Sequence, residues 1–277
     1  MEDKISVAVI GASGFVGDAC CHIFREQNVH KIDPRLGTSV ADILDKELDL
    51  ILICVPTPQG TDGKINSSIV ESVLDQLKGK SKTLIALKST TLPDVVAKYE
   101  KQFKNFVYNP EFLTEARARF DAENPTHTVI GGSSKNCARM QNYYENYSTC
   151  ASAPFITMSA SEASFVKYGM NCFLATKVLF FNQYYDMVTK SGAAYEKVRA
   201  GISADPRIGV SHTLVPGNDG RRGFSGACFP KDVTAMVHFS DETLTVLKEA
   251  WNANCDYRHM TEPTPRELEQ HVEFNKI

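Results

Sequence analysis

The chain has 277 residues, 43% hydrophobic and 23% charged, with a formal net charge of -3. That length supports one large domain or two modest ones, with the balance of a soluble globular enzyme. Lys and Arg are dispersed and slightly outnumbered by Asp and Glu, which excludes a nucleic-acid partner, and no apolar run approaches the roughly 18 residues of a membrane span.

Read in chain order, the first half alternates strands and helices. Ile5–Ile10 is a β-branched run entering a Gly-rich turn, and Phe15–Gln27 follows as a helix. Val29–Ile32 reads as a second strand ending at Asp33. Leu48–Val55 is an apolar run too short for a helix and closed by Pro56, the pattern of a strand buried on both faces. Thr83–Leu87, Phe106–Tyr108 and Thr128–Ile130 are further strands, with helices at Ser67–Leu77 and Pro93–Phe103. Repeated βα units predict a doubly wound, Rossmann-like parallel sheet over residues 1–152.

An all-helical domain is expected over 153–260. Ser159 and Glu162 form a capping-box pattern, and apolar residues then recur at helical spacing from Ala163 to Val188 before Gly192. This predicts a central helix of about 30 residues, about 45 Å long. Apolar residues on both its flanks suit a homodimer interface; the plain alternative is a spine buried within one subunit. Shorter helices fit 194–201, 229–239 and 242–257. The segment 261–277, with two prolines and six charged residues, reads as a loose tail.

Strand Val7–Ile10 leads into Gly11, Ser13, Gly14, Phe15, Val16 and Gly17. Glycines let the backbone approach a pyrophosphate, and the following helix offers its unpaired N–H groups to the phosphates. Asp33, ending the second strand, would accept from an adenosine ribose and favour NAD over NADP, with Arg35 nearby. Two loops sit where a nicotinamide would lie: Val55, Pro56, Thr57 and Pro58, and Lys88 through Thr91. Any one of these features is more often an ordinary loop. Strand, turn, helix and acid together raise the signal.

The most informative stretch runs from Gly220 to Asp232 and carries Cys228. A glycine-rich loop enters a helix with Pro230 in its first turn, which puts Cys228 at the positive helix end beside Lys231. Both effects favour the thiolate, the nucleophilic form. Asp232 shares its helical face. The other cysteines, at 20, 21, 54, 137, 150, 172 and 255, match no zinc pattern and contain no C-x-x-C pair, so no metal is expected. With an N-terminus lacking a signal-peptide pattern, they suggest free thiols in a reducing cytoplasm.

Gly223 through Asp232 resembles the G-F-G-G-x-C-F-x-K-D signature of the UDP-glucose/GDP-mannose dehydrogenase family. Four further segments resemble that family in the same order: Gly14–Gly17, its phosphate loop; Tyr108–Glu115 with Asn124, Pro125 and Gly131, its domain-crossing loop; Glu162–Lys167 with Asn171 and Phe173–Ala175, its central helix; and Asp205–Gly209, its substrate-arginine motif. The resemblance implies NAD-dependent oxidation of a nucleotide sugar, UDP-glucose first, from C6 alcohol to carboxylate. Cys228 would be the nucleophile. Lys167 and Asn171, one helical turn apart, would stabilise an oxyanion, with Lys167 also handling protons. Asp232 would position water, assisted by Thr90 and Glu111. The resemblance also implies cofactor contacts from Ser89, Thr90, Glu115 and Lys231. Substrate contacts would come from Glu111, Phe112, Leu113, Glu115, Lys167, Asn171, Arg207, Arg221, Arg222, Gly223, Phe224 and Gly226.

Three departures from the family pattern stand out. Ser13 is an extra residue between the first two glycines. Ser225 replaces a signature glycine, after an added basic segment at Asn218–Arg222; either Ser225 is strained or the loop runs differently, with Arg221 and Arg222 free for phosphate. The sequence also ends at Ile277, without the further α/β domain by which longer members grip the nucleotide. Two alternatives stay open: a two-domain 3-hydroxyacid dehydrogenase, which transfers one hydride and needs no cysteine, and an inactive NAD- or sugar-binding module.

Overall fold

A computed structural model describes residues 4–80 and 82–277. The chain divides into two compact units, Met1–Thr57 with Asn66–Lys167, and Pro58–Ile65 with Tyr168–Ile277.

The first unit is built on seven strands: β1 (Ser6–Ile10), β2 (Asn28–Ile32), β3 (Leu50–Ile53), β4 (Leu84–Leu87), β5 (Phe106–Tyr108), β6 (Thr128–Gly132) and β7 (Phe155–Met158). Their spatial order is β2-β1-β3-β4-β5-β6-β7. All neighbours run parallel except β5 and β6, so the expected parallel sheet carries one reversal. Strand alternation sorts the side chains into two apolar layers. Val7, Val9, Leu50, Leu52, Leu84 and Ala86 meet helices α1 (Phe15–Ile23) and α5 (Ser134–Tyr147) on one face. Ala8, Ile10, Ile51, Ile53, Ile85 and Leu87 meet α2 (Ser68–Gln76), α3 (Pro93–Gln102) and the first turns of α6 (Ala160–Lys190) on the other. A short α4 (Ala118–Glu123) lies between β5 and β6. The order reverses between β1 and β3, and such a switch point opens a crevice at the carboxyl ends of the strands.

Helices α4 and α5 and strand β7 were not expected. In α5, Cys137, Met140 and Tyr143/Tyr144 face the core, but most of the intervening residues are polar and mask the period. β7 is a half-exposed edge strand that lies beyond residue 152, where the sheet domain was expected to stop. Helix α6 begins as its pattern predicts. Glu162 Oε2 accepts from the Ser159 N–H at 2.8 Å, and Ser159 Oγ accepts from the Glu162 N–H at 3.4 Å. Gly131 on β6 permits this start: a Cβ there would stand 2.7 Å from the Ser159 carbonyl oxygen.

The second unit contains the rest of α6, then α7 (Tyr195–Ser203), α8 (Phe229–Phe239), α9 (Thr245–Arg258) and α10 (Pro265–Glu269). The segment read as a loose tail is instead packed, because its apolar residues find partners. Trp251 is fully buried, stacks on Phe274 at 5.8 Å and donates to the Asn275 carbonyl at 2.8 Å. Gln59, from the excursion Pro58–Ile65, donates its N–H to the Gln270 carbonyl at 2.9 Å. No helix among the described residues is long and apolar enough to cross a membrane.

Candidate active site

In the first unit the glycine turn closes at the switch point. Gly11 has φ +85°, and a Cβ there would stand 2.5 Å from the Cys54 carbonyl oxygen past the end of β3. Gly17 lies closer still: its Cβ would fall 2.0 Å from the Gly11 carbonyl oxygen, so only glycine lets α1 seat on the turn. Gly14 is the N-cap of α1 and no side chain caps that helix start, near Phe15 and Val16. Its first N–H groups are therefore available to an anion. The extra residue Ser13 has a place: its N–H donates to Asp33 Oδ2 at 3.0 Å. Asp33 Oδ1 accepts from the Arg35 N–H at 2.9 Å. Burial pushes the Asp33 carboxyl up, but the Ser13 and Arg35 donors outweigh it and hold the group below the usual carboxylate range. The residues fit a dinucleotide: an uncapped helix start, a turn kept tight by Gly11, Gly14 and Gly17, and a carboxylate held by the Ser13 N–H of that turn.

The two loops beside the turn are tied together. Ser89 Oγ donates to the Val55 carbonyl at 2.7 Å, and Thr91 Oγ1 donates to the Ser89 carbonyl at 2.9 Å. Pro56 is exposed, Thr57 is buried and Thr90 is half-buried. Lys88 proves structural. Its buried ammonium donates to the Asn109 carbonyl and Oδ1 and to the Tyr144 hydroxyl.

On the same unit Lys167 Nζ donates to the Glu111 carbonyl at 2.6 Å and to Glu111 Oε1 at 3.2 Å. Both side chains are nearly fully buried. Lys167 Nζ also lies 5.4 Å from the centre of the Phe112 ring, and the Leu113 N–H donates to Glu111 Oε2 at 2.7 Å. Burial raises the Glu111 carboxyl, yet the Lys167 ammonium more than compensates and holds it low. Glu115 is exposed in a single 3-10 turn.

In the second unit Cys228 is the N-cap of α8, with Pro230 in the first turn and no side chain capping the helix. It is the one cysteine of the eight that is exposed. Asp232, one turn on, is wholly buried and accepts from Asn171 Nδ2 at 2.6 Å and Lys231 Nζ at 2.6 Å. Lys231 is itself buried and pairs with Asp232. Arg207 is exposed and forks onto Asp205.

The basic loop corrects an expectation. Arg222 is not free for phosphate. It donates to Asn182 Oδ1 and O and to both Asp186 carboxylate oxygens, and its guanidinium lies between the Tyr185 and Tyr257 rings. Arg221 Nη1 donates to the Glu262 carbonyl at 2.6 Å. Ser225 escapes strain because the positive φ values fall on Gly220, Gly223 and Gly226. Its hydroxyl donates to Asp219 Oδ2 at 2.9 Å. The sequence reading missed Asn182, Asn254, Arg258 and Glu267, which hold this loop from positions distant in the chain.

Residues 35–148 match the UDP-glucose/GDP-mannose dehydrogenase family, NAD binding domain, and residues 161–255 match its central domain. The chain belongs to this family. Its first unit is thus a domain of the NAD-binding type, although the match begins beyond the Ser13 turn. The UDP-glucose 6-dehydrogenase TuaD of Bacillus subtilis is 34% identical over 231 residues, 78% of this chain and 47% of that protein. The chain spans about half the length of the curated relatives it matches. A UDP-glucose dehydrogenase from Pyrobaculum islandicum superposes with TM-score 0.76 at 25% identity, covering 91% of this chain and 68% of that one. A 3-hydroxyisobutyrate dehydrogenase of Mycobacterium tuberculosis shares the fold, with TM-score 0.68 at 17% identity over 98% and 97% of the two chains.

Proposed function

We propose that this protein oxidises the primary alcohol of a nucleotide sugar, UDP-glucose first, to the carboxylate with two molecules of NAD. The observation that carries the reading is Cys228: an exposed thiol at the start of α8, next to the buried Asn171–Asp232–Lys231 network. A one-step alcohol dehydrogenase has no use for such a thiol. When bound, NAD supplies the hydride acceptor for each oxidation. The protein's own part is to make the second oxidation possible. An aldehyde carbon carries no carbinol hydrogen. Cys228 sulfur adds to it, its proton passes to the carbonyl oxygen, and the resulting thiohemiacetal restores an H–C–O–H unit. Its oxidation leaves a thioester, and water then releases the acid and regenerates the thiol.

In this reading Asn171 and Lys167 steady the oxyanion, and Lys167 holds the proton in exchange with Glu111. Asp232 orients the water, with Thr90 and Glu111 assisting. Glu115, Phe112, Leu113 and the Gly223–Gly226 loop contact substrate, and Arg207 meets the sugar or its phosphate. The ribose falls to Asp33. The exposed Phe173, Phe180 and Met187 on α6 support a homodimer through that helix. Eight free thiols support a cytoplasmic setting.

The test is a panel of UDP- and GDP-sugars with NAD, read at the NADH absorbance. The expected result is two NADH per sugar and no acid from Cys228→Ala. One NADH per substrate, or unimpaired acid formation by that variant, overturns the reading.

A further inference from the structure

The stretch Gly223–Gly226 that leads into Cys228 takes its hydrogen bonds from side chains of distant helices. The Gly223 N–H donates to Asn182 Oδ1 at 3.0 Å, and the Phe224 N–H donates to Asn254 Oδ1 at 2.8 Å. Arg258 reaches Asp219 Oδ2 at 2.7 Å and the Gly223 carbonyl at 3.1 Å. The last contact before the cysteine comes from α10. Glu267 Oε1 accepts from the Gly226 N–H at 3.2 Å, while its Oε2 accepts from the Thr264 N–H at 2.6 Å. Thr264 Oγ1 accepts from the Glu267 N–H in turn, which closes a capping box. Glu267 is only 1% exposed. A carboxylate is costly to bury, and a helix cap alone does not require burial, because capping glutamates work well at the surface. Here one oxygen serves the cap and the other serves the loop. Gly226 has φ +88° and stands two residues before Cys228. Rotation of its peptide would swing the thiol away from the start of α8. Residues 264–270 also lie beyond the matched central domain, which stops at residue 255.

We propose that Glu267 is a positioning residue for Cys228. By holding the Gly226 peptide it keeps the thiol at the N-terminus of α8, where the helix field favours the thiolate. The inference rests on Cys228 being the nucleophile.

The experiment follows alkylation of Cys228 by iodoacetamide against pH, with the Cys228 peptide quantified by mass spectrometry, in wild type, Glu267→Ala, Glu267→Gln and Thr264→Ala. Loss of the Gly226 contact is expected to move the profile to higher pH and slow neutral-pH alkylation roughly tenfold in Glu267→Ala. kcat should fall with KM for NAD unchanged. Glu267→Gln keeps one acceptor oxygen and should lie between; it decides the matter if Glu267→Ala does not fold. Thr264→Ala weakens the helix cap but leaves the Gly226 contact, so it should lower Tm with a wild-type profile. An unshifted profile in folded Glu267 variants overturns the proposal, as does an equal shift in Thr264→Ala. Acid formation by Cys228→Ala would instead remove the nucleophile reading, while a shifted Glu267→Ala profile would still uphold the positioning contact.

Discussion

The two glycine-rich segments are built in opposite ways. The turn Gly11–Gly17 is held by backbone against backbone, with glycines where a Cβ would collide with a carbonyl oxygen. The stretch Gly223–Cys228 is held by Asn182, Asn254, Arg258 and Glu267, which reach in from α6, α9 and α10. A turn made of backbone tolerates almost no added atoms and takes a side-chain anchor at Asp33. A loop made of side chains tolerates changes in its own sequence, as Ser225 shows, and fails when a distant anchor is lost.

The sharpest way to break the contrast is Gly17→Ala. A Cβ 2.0 Å from the Gly11 carbonyl oxygen cannot be relieved by a rotamer, so α1 must lift from the turn. Overpacking of this kind costs about 1–3 kcal/mol or more. Calorimetry should show the largest Tm loss of the series, and NAD titration should show binding lost. Normal NAD affinity would mean that the turn is not the cofactor's seat.

Arg222→Ala comes next. It removes a fork shared by Asn182 and Asp186 and uncovers two tyrosine faces. Hydrogen bonds to charged groups contribute about 1.5–3 kcal/mol. Tm should fall, and faster proteolysis between Gly217 and Gly226 should accompany it. Weakened substrate affinity with unchanged Tm would restore the phosphate role that the structure argues against. Asn254→Ala should follow the same pattern with a loss of about 1–3 kcal/mol, since it strands the buried Phe224 N–H and carbonyl. It should leave NAD affinity intact.

The same contrast explains how much was legible beforehand. Strand, turn, helix and Asp33 lie within one short stretch, and their geometry follows from local rules. The capping box at Ser159 and the place of Cys228 at a helix start were readable for the same reason. The loop's anchors were not, because nothing in an isolated Asn182 or Glu267 announces a partner tens of residues away. Arg222 misled for a related reason: an arginine in a glycine-rich loop suggests phosphate, and only the fold supplies Asp186 and two aromatic rings. The packed C-terminal segment was hidden by its charges, although Val272 and Phe274 were present to bury.

The smallest effect concerns Asp33, where the backbone turn does depend on one side chain. Its folded-state carboxyl titrates below its ordinary value because the Ser13 and Arg35 N–H groups hold the ionised form. As pH falls, the unfolded chain therefore takes up this proton first. The stabilisation is complete above the unfolded carboxylate range, about pH 4, and is lost as pH drops through the folded value. Asp33→Asn cannot titrate and can accept with only one oxygen, so its Tm should lie below wild type near neutral pH. The gap should close below about pH 4. A gap that stays constant with pH would mean that Asp33 stabilises the turn by shape alone, and the turn would then be backbone-built throughout.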